Sequence, residues 1–321
     1  GVFGIGPERL VEPAGNLQPG KMRGERLTHN GVTIWNDSYN SNPDAARAML
    51  EVLRDTPARR RIAVLGEMLE LGRWSEPLHR DVGRYAVECG VNVLVGIRGA
   101  ARSMVDAAIS AGMVADAAER AYGPVTQALD FTPAGKPMVV IYPNRHDLNK
   151  VFGWSGDQSA MGVYWGGVIQ VLSPHAWLKS ESAEEFVRSG PMAHELTHLV
   201  LDYMTGGNYP RWFTEGLAQY VEYKVNGYEW RTTNNSLSGN LYTMSQLDNQ
   251  FDNLPNQALA YRESLAAVRY IAEGPNGNQL PVVVEALQKG QSFEAAMTDN
   301  MGISYQAYAT DWRNWAVANM I

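Results

Sequence analysis

The segment PMAHELTHLV, residues 191–200, constrains the fold of this chain more than any other. Its two histidines, His194 and His198, stand four residues apart, with Glu195 directly after the first. On an α-helix this spacing places both imidazoles on one face, about one turn apart, where they can reach a single metal ion. A glutamate beside the first ligand can take a proton from a water on that ion. The segment therefore predicts a helix that carries two metal ligands and a general base.

A catalytic zinc ion usually has three protein ligands and one open position, so the pattern requires a third ligand. The segment YPRWFTEGLAQYVEY supplies a candidate in Glu215. Gly206 and Gly207 predict a tight turn after the first helix. A returning second helix then brings the carboxylate of Glu215 against the histidine pair. We expect Asp202 and Gln219, each four residues past a proposed ligand, to orient the ligands.

The alternative is an ordinary polar patch on a helix. The chain has six histidines among 321 residues, so a chance HExxH pattern is expected on the order of 0.01 times in such a chain. Coincidence is therefore disfavoured. The remaining histidines have no partner at ligand spacing and are expected at the surface or in packing: His29, His79, His146 and His175.

Composition excludes several classes of function. The net charge is −7, and no run of Lys and Arg is longer than Arg59–Arg61, so a nucleic-acid surface is not expected. A single cysteine, Cys89, excludes an internal disulfide framework and a cysteine-based zinc site. No apolar run reaches membrane-spanning length, and GVFGIGPERL has no signal-peptide pattern. We expect a cytoplasmic protein as the sequence is given, with an exported form left open because the first residue is not Met.

The first third of the chain has the pattern of an α/β domain. From Val32 to about Gly112, short β-branched runs alternate with amphipathic stretches, which predicts a parallel sheet. The predicted strands are VTIWND, RIAVLG and VNVLVGI, and the predicted helices are PDAARAMLEVLRD, EPLHRDVGRYAVEC and AARSMVDAAISAG. No GxxxxGK[ST] phosphate loop is present in the sequence.

The pattern changes after Gly112, which sets a predicted division into domains 1–112 and 113–321. A new helix (VADAAERAYGPVTQALDF) leads to a strand (KPMVVIY), a short helix, and AMGVYWGGVIQVL, which predicts a hairpin or edge strand. The rest is mostly helical and indicates an α+β domain. Its predicted helices cover about 190–204, 210–225, 258–273, 279–289, 292–299 and 304–319.

HELTH followed by WFTEGLAQY resembles the gluzincin metallopeptidases, in particular the peptidase MA-like group. The resemblance covers about residues 113–321 and implies a thermolysin-like zincin fold, a Zn²⁺ ion and a peptide or protein substrate. It also implies that YWGGVIQVLSP forms an edge strand along which a peptide backbone can bind. In related gluzincins a tyrosine hydrogen-bonds the oxyanion, and Tyr261 in AYRES matches its position. The alternative for Tyr261 is a core aromatic residue.

Residues 1–112 resemble the C-terminal domain of Mur ligases. The resemblance rests on GKMRGERLTHNGVTIWND, NDSYNSNPDAARAML, RIAVLGEMLELG and LHRDVG. It implies a Rossmann-like domain in which Asp37, Asn40, Asn42 and Pro43 line an amino-acid pocket. The alternative is that Asn42 and Pro43 simply begin a helix. The ATPase domain of the family and its last strands are missing, so we expect a truncated domain that does not ligate alone. It is either a passenger or a partner-binding module in this fusion.

The sequence therefore predicts a zinc metallopeptidase in which His194, His198 and Glu215 bind the metal and Glu195 is the general base. The residues AMGVYWGG contain no glutamate of the kind that exopeptidase relatives use to hold a free amino terminus, which favours an endopeptidase. Two alternatives stay open, a non-catalytic binding protein on the gluzincin scaffold and a Mur ligase fragment in peptidoglycan precursor synthesis. Three aromatic residues near the proposed site suggest either apolar substrate specificity or core packing: Trp165, Trp212 and Phe213.

Overall fold

The computed structural model describes residue 11 and residues 20–154, 160–179 and 182–320. The chain divides into two compact units, residues 1–112 and 113–321. The segment GVFGIGPERL lies outside the described residues. Among the described residues, no helix combines the length and the apolar character that a membrane crossing requires.

The first unit contains a β-hairpin and a parallel pair of strands joined through a helix. Its elements are β1 (Glu25–His29), β2 (Val32–Asn36), α1 (Pro43–Asp55), β3 (Ile62–Gly66), α2 (Ser75–Glu88) and β4 (Val93–Ile97). The strands β3 and β4 pair in parallel. The apolar core of this unit includes Leu50, Met68, Val82 and Met104, which are all nearly fully buried.

The prediction that VTIWND joins the parallel sheet is wrong. This segment forms β2, which pairs antiparallel with β1, a strand that the sequence pattern does not predict. The reason is the turn between them. Asn30 and Gly31 both have positive φ, 48° and 79°, which is the geometry that an Asn-Gly pair favours in a two-residue hairpin. The hairpin therefore forms locally, and the parallel sheet of the described residues contains β3 and β4 alone.

The NSNP segment of the first unit has a local structural role. The side chain of Asn42 accepts a hydrogen bond from the main-chain N–H of Ala45 at 2.9 Å and caps α1. Pro43 occupies the first helical position, where its missing N–H costs nothing. The side chain of Asn40 accepts a hydrogen bond from the next main-chain N–H, that of Ser41. These contacts agree with the alternative that the segment begins a helix.

A single long helix, α3 (Ala101–Leu129), follows β4. The sequence pattern predicts two helices that meet near Gly112, and that prediction is wrong. Gly112 has no positive φ, and a glycine costs only about 1 kcal/mol in a helix interior, which tertiary packing readily offsets. Buried residues continue through the helix on both sides of Gly112, among them Met104, Met113 and Val125.

The second unit contains a small mixed sheet in the order β5-β7-β6. Its elements are β5 (Met138–Tyr142), α4 (Arg145–Phe152), β6 (Gly162–Trp165) and β7 (Val168–Leu172). The strands β6 and β7 form the predicted hairpin, which is confirmed. Gly166 and Gly167 make its turn with φ of 58° and 86°. β6 lies at an edge of the sheet.

The rest of the unit is helical, as predicted. Its helices are α5 (Ala183–Ser189), α6 (Met192–Thr205), α7 (Arg211–Asn226), α8 (Met244–Gln250), α9 (Gln257–Glu273), α10 (Leu280–Gln288), α11 (Phe293–Met301) and α12 (Tyr305–Asn319). The short helices α5 and α8 were not among the predicted ones. They have seven residues each, which is too short for a strong helical periodicity in sequence.

Helix α7 occupies the centre of the second unit, between α6 and α9. Gly216 permits its close contact with α9. A Cβ atom at this position would lie 2.2 Å from the carbonyl oxygen of Ser264, far inside a van der Waals contact. Trp212 and Phe213 on the same helix are completely buried in the core, which confirms packing rather than substrate contact as their role.

Candidate metal centre

The turn between α6 and α7 determines where the proposed ligands lie. Gly206 ends α6 in the left-handed conformation with φ of 62°, and Gly207 follows with φ of 82°. Pro210 caps the start of α7 with extended backbone. Two neighbouring helices result, and His194 and His198 on α6 face Glu215 in the second turn of α7.

Three side chains converge between the two helices. The Oε2 atom of Glu215 lies 3.2 Å from Nε2 of His194 and 3.6 Å from Nε2 of His198. One ligand atom from each of the three residues can be chosen such that all lie within 4.8 Å of one another. The side chains of His194, His198 and Glu215 are 16%, 9% and 3% exposed, so the group is largely shielded from water.

The distances and the donor types fit a zinc ion. A tetrahedral ion with bonds of about 2.0–2.1 Å separates its ligand atoms by about 3.3 Å, and the distances from Glu215 to the two imidazoles bracket that value. Two imidazoles and one carboxylate are also a ligand set that zinc enzymes use. The three residues can therefore hold a divalent ion.

The second nitrogen of each imidazole has its own partner. Nδ1 of His198 lies 2.6 Å from Oγ1 of Thr214. Nδ1 of His194 lies 3.4 Å from Oε2 of Glu222, which is 8% exposed. If an ion takes the place of the Nε2 proton, each ring keeps its proton on Nδ1, and both Nε2 lone pairs face the ion position.

The expectation that Asp202 and Gln219 orient the ligands is wrong. The carboxylate of Asp202 accepts hydrogen bonds from the hydroxyls of Tyr164 and Tyr209, at 2.6 Å and 3.2 Å. The amide of Gln219 donates to two main-chain carbonyls, those of Glu215 and Tyr261.

The residues whose side chains contact the ligating side chains were not predicted from the sequence: Thr214, Glu222 and Arg211. Glu222 and Arg211 could have been found from their spacing. They stand seven residues after and four residues before Glu215, and side chains at these spacings share one face of a helix. Thr214 has no such signal, because adjacent residues point in different directions on a helix.

Glu215 is ionised in this environment. Its burial by itself raises the pKa of the carboxyl, but the charges of His198 and Arg211 and a hydrogen bond from His194 outweigh the burial. They hold the pKa of Glu215 well below its usual range. Since a carboxyl must be deprotonated to bind a metal, the side chain is ready to act as a ligand.

Glu195 lies beside the ion position and beneath the edge strand. It is 5% exposed, and its carboxylate accepts a hydrogen bond from the main-chain N–H of Tyr164 on β6. A Cβ atom on Gly162 of the same strand would lie 2.9 Å from Oε1 of Glu195, so the close approach of β6 depends on this glycine. Burial raises the pKa of Glu195, although the two histidines lower it.

Tyr261, in the second turn of α9, lies close to these charged groups. Its ring is partly buried and packs against Trp230 and Phe251, with centroid distances of 5.9 Å and 5.4 Å. Burial raises the pKa of its hydroxyl, and the charges of Glu215 and Glu195 raise it further. The hydroxyl therefore stays protonated and can donate a hydrogen bond.

Two family models match separate parts of the chain. Residues 22–142 match the family described as Mur ligase, glutamate ligase domain. Residues 181–318, which include all the residues of the metal centre, match the Peptidase MA superfamily. The first match continues past Gly112 and ends at Tyr142, the last residue of β5. A comparison with solved structures found no match.

Curated relatives match the first part of the chain. A UDP-N-acetylmuramoyl-tripeptide--D-alanyl-D-alanine ligase from Mycobacterium leprae is 44% identical over 82 residues, 22% of this chain and 16% of the relative. The ligase of the same name from Bacillus subtilis is 35% identical over 83 residues, 25% of this chain and 18% of the relative. The chain thus spans less than a fifth of the length of these relatives. Together the matches identify a Mur ligase C-terminal domain followed by a domain of the Peptidase MA superfamily.

Proposed function

We propose that this protein is a zinc-dependent peptidase that hydrolyses peptide bonds with the side chains of α6 and α7. The observation that carries the proposal is the convergence of His194, His198 and Glu215, with Glu195 beside them. The match to the Peptidase MA superfamily supports peptide as the substrate class. Among divalent ions, zinc is favoured by two imidazoles and one carboxylate in a largely buried site.

A zinc ion at this position supplies Lewis acidity, which lowers the pKa of a water to about 7 and polarises a carbonyl group. Glu195 acts as the general base that takes the proton from the attacking water and returns it to the leaving amine. Burial supports this role, because it raises the pKa of Glu195 and makes the carboxyl a better proton acceptor. The main-chain N–H of Tyr164 fixes the position of the carboxylate.

Tyr261 is the proposed donor to the oxyanion. Negative charge develops on the carbonyl oxygen during the attack, and a fixed hydrogen-bond donor stabilises it. The raised pKa of the Tyr261 hydroxyl keeps its proton in place at neutral pH. The ring contacts with Trp230 and Phe251 limit its movement. Replacement of Tyr261 by Phe should therefore lower kcat with little change in metal content.

The edge strand β6 is the proposed peptide-binding element. It pairs with β7 on one side only, and a peptide backbone can add to the other side as a further strand. Because Trp165 and Val168 flank a two-residue turn, they form the hydrogen-bonded pair nearest the turn. The N–H of Tyr164 is consequently directed away from β7, toward Glu195. We propose an endopeptidase, since an extended peptide bound along this strand can continue beyond the metal position on both sides.

The variant Glu195→Gln tests the proposal. It should keep about one zinc ion per chain. Its rate of peptide hydrolysis should fall by a factor on the order of 10²–10⁴. Metal content is measured by elemental analysis and hydrolysis with a quenched fluorescent peptide library, with a chelator as the negative control. The matched control is Glu285→Gln, an exposed glutamate on α10, which should change neither. Full hydrolysis by Glu195→Gln would refute the role of the base.

Two alternatives are separated by simple measurements. A non-catalytic protein on the same scaffold would bind no zinc or would bind zinc without hydrolysis. A ligase-related function is favoured by the match of residues 22–142. Calorimetric titration with D-alanyl-D-alanine, the dipeptide in the name of the curated relatives, tests that function. Heat of binding would support the ligase-related function, and its absence supports a role for this domain outside dipeptide recognition.

A further inference from the structure

The two oxygen atoms of Glu215 have different surroundings. Oε2 faces the Nε2 atoms of both histidines, at 3.2 Å and 3.6 Å. Oε1 accepts a hydrogen bond from Nη1 of Arg211. Arg211 is the first residue of α7 and stands one helical turn before Glu215. One oxygen is therefore directed to the ion position, and the other is already occupied.

Arg211 is itself held in place by the residues after α8. Its Nε donates to Oδ1 of Asp252 at 3.2 Å, and its guanidinium lies 5.6 Å from the centroid of the Phe251 ring. The side chain is 42% exposed, so these contacts and not burial define its position. A planar guanidinium can serve two carboxylates at once because its donors have a fixed geometry.

A carboxylate can bind a metal ion through one oxygen or through both. If Glu215 used both oxygens, the second would fill a position next to the ion. A hydrolytic zinc site must keep that position open for water and for the substrate carbonyl. A hydrogen bond from a charged donor reduces the electron density that Oε1 can offer to the ion and so opposes this second bond. The geometry around Glu215 is therefore suited to a ligand that contributes a single oxygen.

We propose that Arg211 is a positioning residue that holds Glu215 as a one-oxygen ligand and so keeps a coordination position open. The inference rests on the proposed zinc-dependent function and adds a residue to it. Arg211 acts through Glu215 and has no role in proton transfer. Asp252 contributes indirectly, because it fixes the orientation of the guanidinium.

The variants Arg211→Met, Arg211→Lys and Asp252→Asn test the inference in the full chain loaded with Co²⁺ or Zn²⁺. Arg120→Met is a matched control. Arg120 also bridges two carboxylates, those of Asp116 and Glu184, at 3.0 Å and 2.9 Å. The measurements are metal content, the visible absorption of the Co²⁺ form, and kcat/KM for a peptide substrate.

Arg211→Met should keep about one ion per chain. The Co²⁺ absorption should weaken roughly twofold or more, because an ion with an added ligand absorbs less than a four-coordinate one. The kcat/KM of the Zn²⁺ form should fall about 10–100-fold. Arg211→Lys should not restore either value, since a single ammonium cannot reproduce the fork of the guanidinium. Asp252→Asn should produce a smaller change in the same direction, and Arg120→Met none.

Several results would overturn the inference. An unchanged Co²⁺ spectrum and a kcat/KM within about twofold of the parent protein in Arg211→Met would exclude the positioning role. A parental Co²⁺ spectrum and kcat/KM in Arg211→Lys would show that only the positive charge is required. Loss of the ion in Arg211→Met would show that Arg211 is needed for binding itself. If Arg211→Met does not fold, the Co²⁺ spectrum of Asp252→Asn tests the positioning role instead. A parent protein that binds no ion would instead contradict the proposed function as a whole.

Discussion

Burial makes the charged groups of the metal centre depend on specific partners. Glu215 is 3% exposed and His198 9% exposed, so neither can rely on water to compensate for a missing neighbour. Glu222 illustrates the consequence. It does not reach the ion position, yet it is the acceptor for Nδ1 of His194 and thereby selects the tautomer in which Nε2 can bind a metal.

Glu222→Gln should weaken zinc binding about 10-fold or more, because an amide is a weaker acceptor for the Nδ1 proton than a carboxylate. Competition with a coloured chelator measures the Kd. The far-UV circular dichroism spectrum should be unchanged, since the variant has nearly the same shape. Zinc affinity equal to that of the parent protein would show that Glu222 does not orient His194.

Glu263 should make the stability of the second unit depend on pH. It is fully buried, and among the described residues only its Oε1 has a hydrogen-bond partner, the main-chain N–H of Tyr242 at 2.9 Å. Burial raises the pKa of Glu263 from 4.5 to about 7, although that N–H and the charge of Arg313 lower it. A carboxyl with a raised pKa stabilises the fold below the unfolded pKa, and this stabilisation is lost as the pH rises through about 7.

Glu263→Gln should remove the loss of stability that Glu263 causes as the pH rises. At pH 8 the variant should be more stable than the parent protein by about 3 kcal/mol, an order-of-magnitude value from the size of the pKa change. Near pH 4.5 the difference should be small. Urea unfolding at several pH values gives the comparison, with the exposed Glu285→Gln as the control. Parallel pH profiles for Glu263→Gln and the parent protein would refute the assignment.

At the scale of elements, close helix packing positions the site. The contact between α7 and α9 at Gly216 keeps the helix of Glu215 against the helix of Tyr261. Gly216→Ala should destabilise the protein by about 1–3 kcal/mol, because its Cβ would lie 2.2 Å from the carbonyl oxygen of Ser264. Thermal unfolding measures the change.

A second helical glycine provides the control. No heavy atom from outside the neighbouring turns of the helix lies within 4 Å of the position that a Cβ atom would take at Gly112 in α3. Gly112→Ala should therefore stabilise the protein by up to about 1 kcal/mol through helix propensity alone. The two substitutions are chemically identical and should have opposite signs. Equal effects would show that the contact at Gly216 does not limit the packing of α7.

The elements that sequence could predict are those with a strong local signal. The turn at Gly166 and Gly167 and the helix of His194 and His198 fall into this group. The sequence did not reveal that α3 continues through Gly112, because the energetic cost of a helical glycine is small and tertiary packing decides the outcome. The partner of β2 was also missed, since its neighbour β1 contains few β-branched residues and pairs mainly because of the Asn-Gly turn.

At the scale of the whole molecule, the two units have separate apolar cores. One core contains Leu50, Met68 and Val82, and the other contains Trp212 and Trp312. The metal ligands belong to the second unit alone. An ion that binds only the folded form stabilises the unit that holds it.

Calorimetry should therefore show two unfolding transitions. Zinc should raise the midpoint temperature of one of them. At free zinc of 100 times the Kd, the second unit should gain about 2.7 kcal/mol. Glu215→Ala should abolish the shift and leave the first unit unchanged. A shift of both transitions by zinc, or a shift that persists in Glu215→Ala, would contradict the assignment of the site to this unit.

The central claim is that one zinc ion binds between α6 and α7. Anomalous diffraction at the zinc absorption edge, from crystals of the zinc-loaded protein, tests it most directly. We predict one strong peak within about 2.0–2.2 Å of Nε2 of His194, Nε2 of His198 and Oε2 of Glu215. Absence of a peak at this position, or a peak bound to other residues, would contradict the claim.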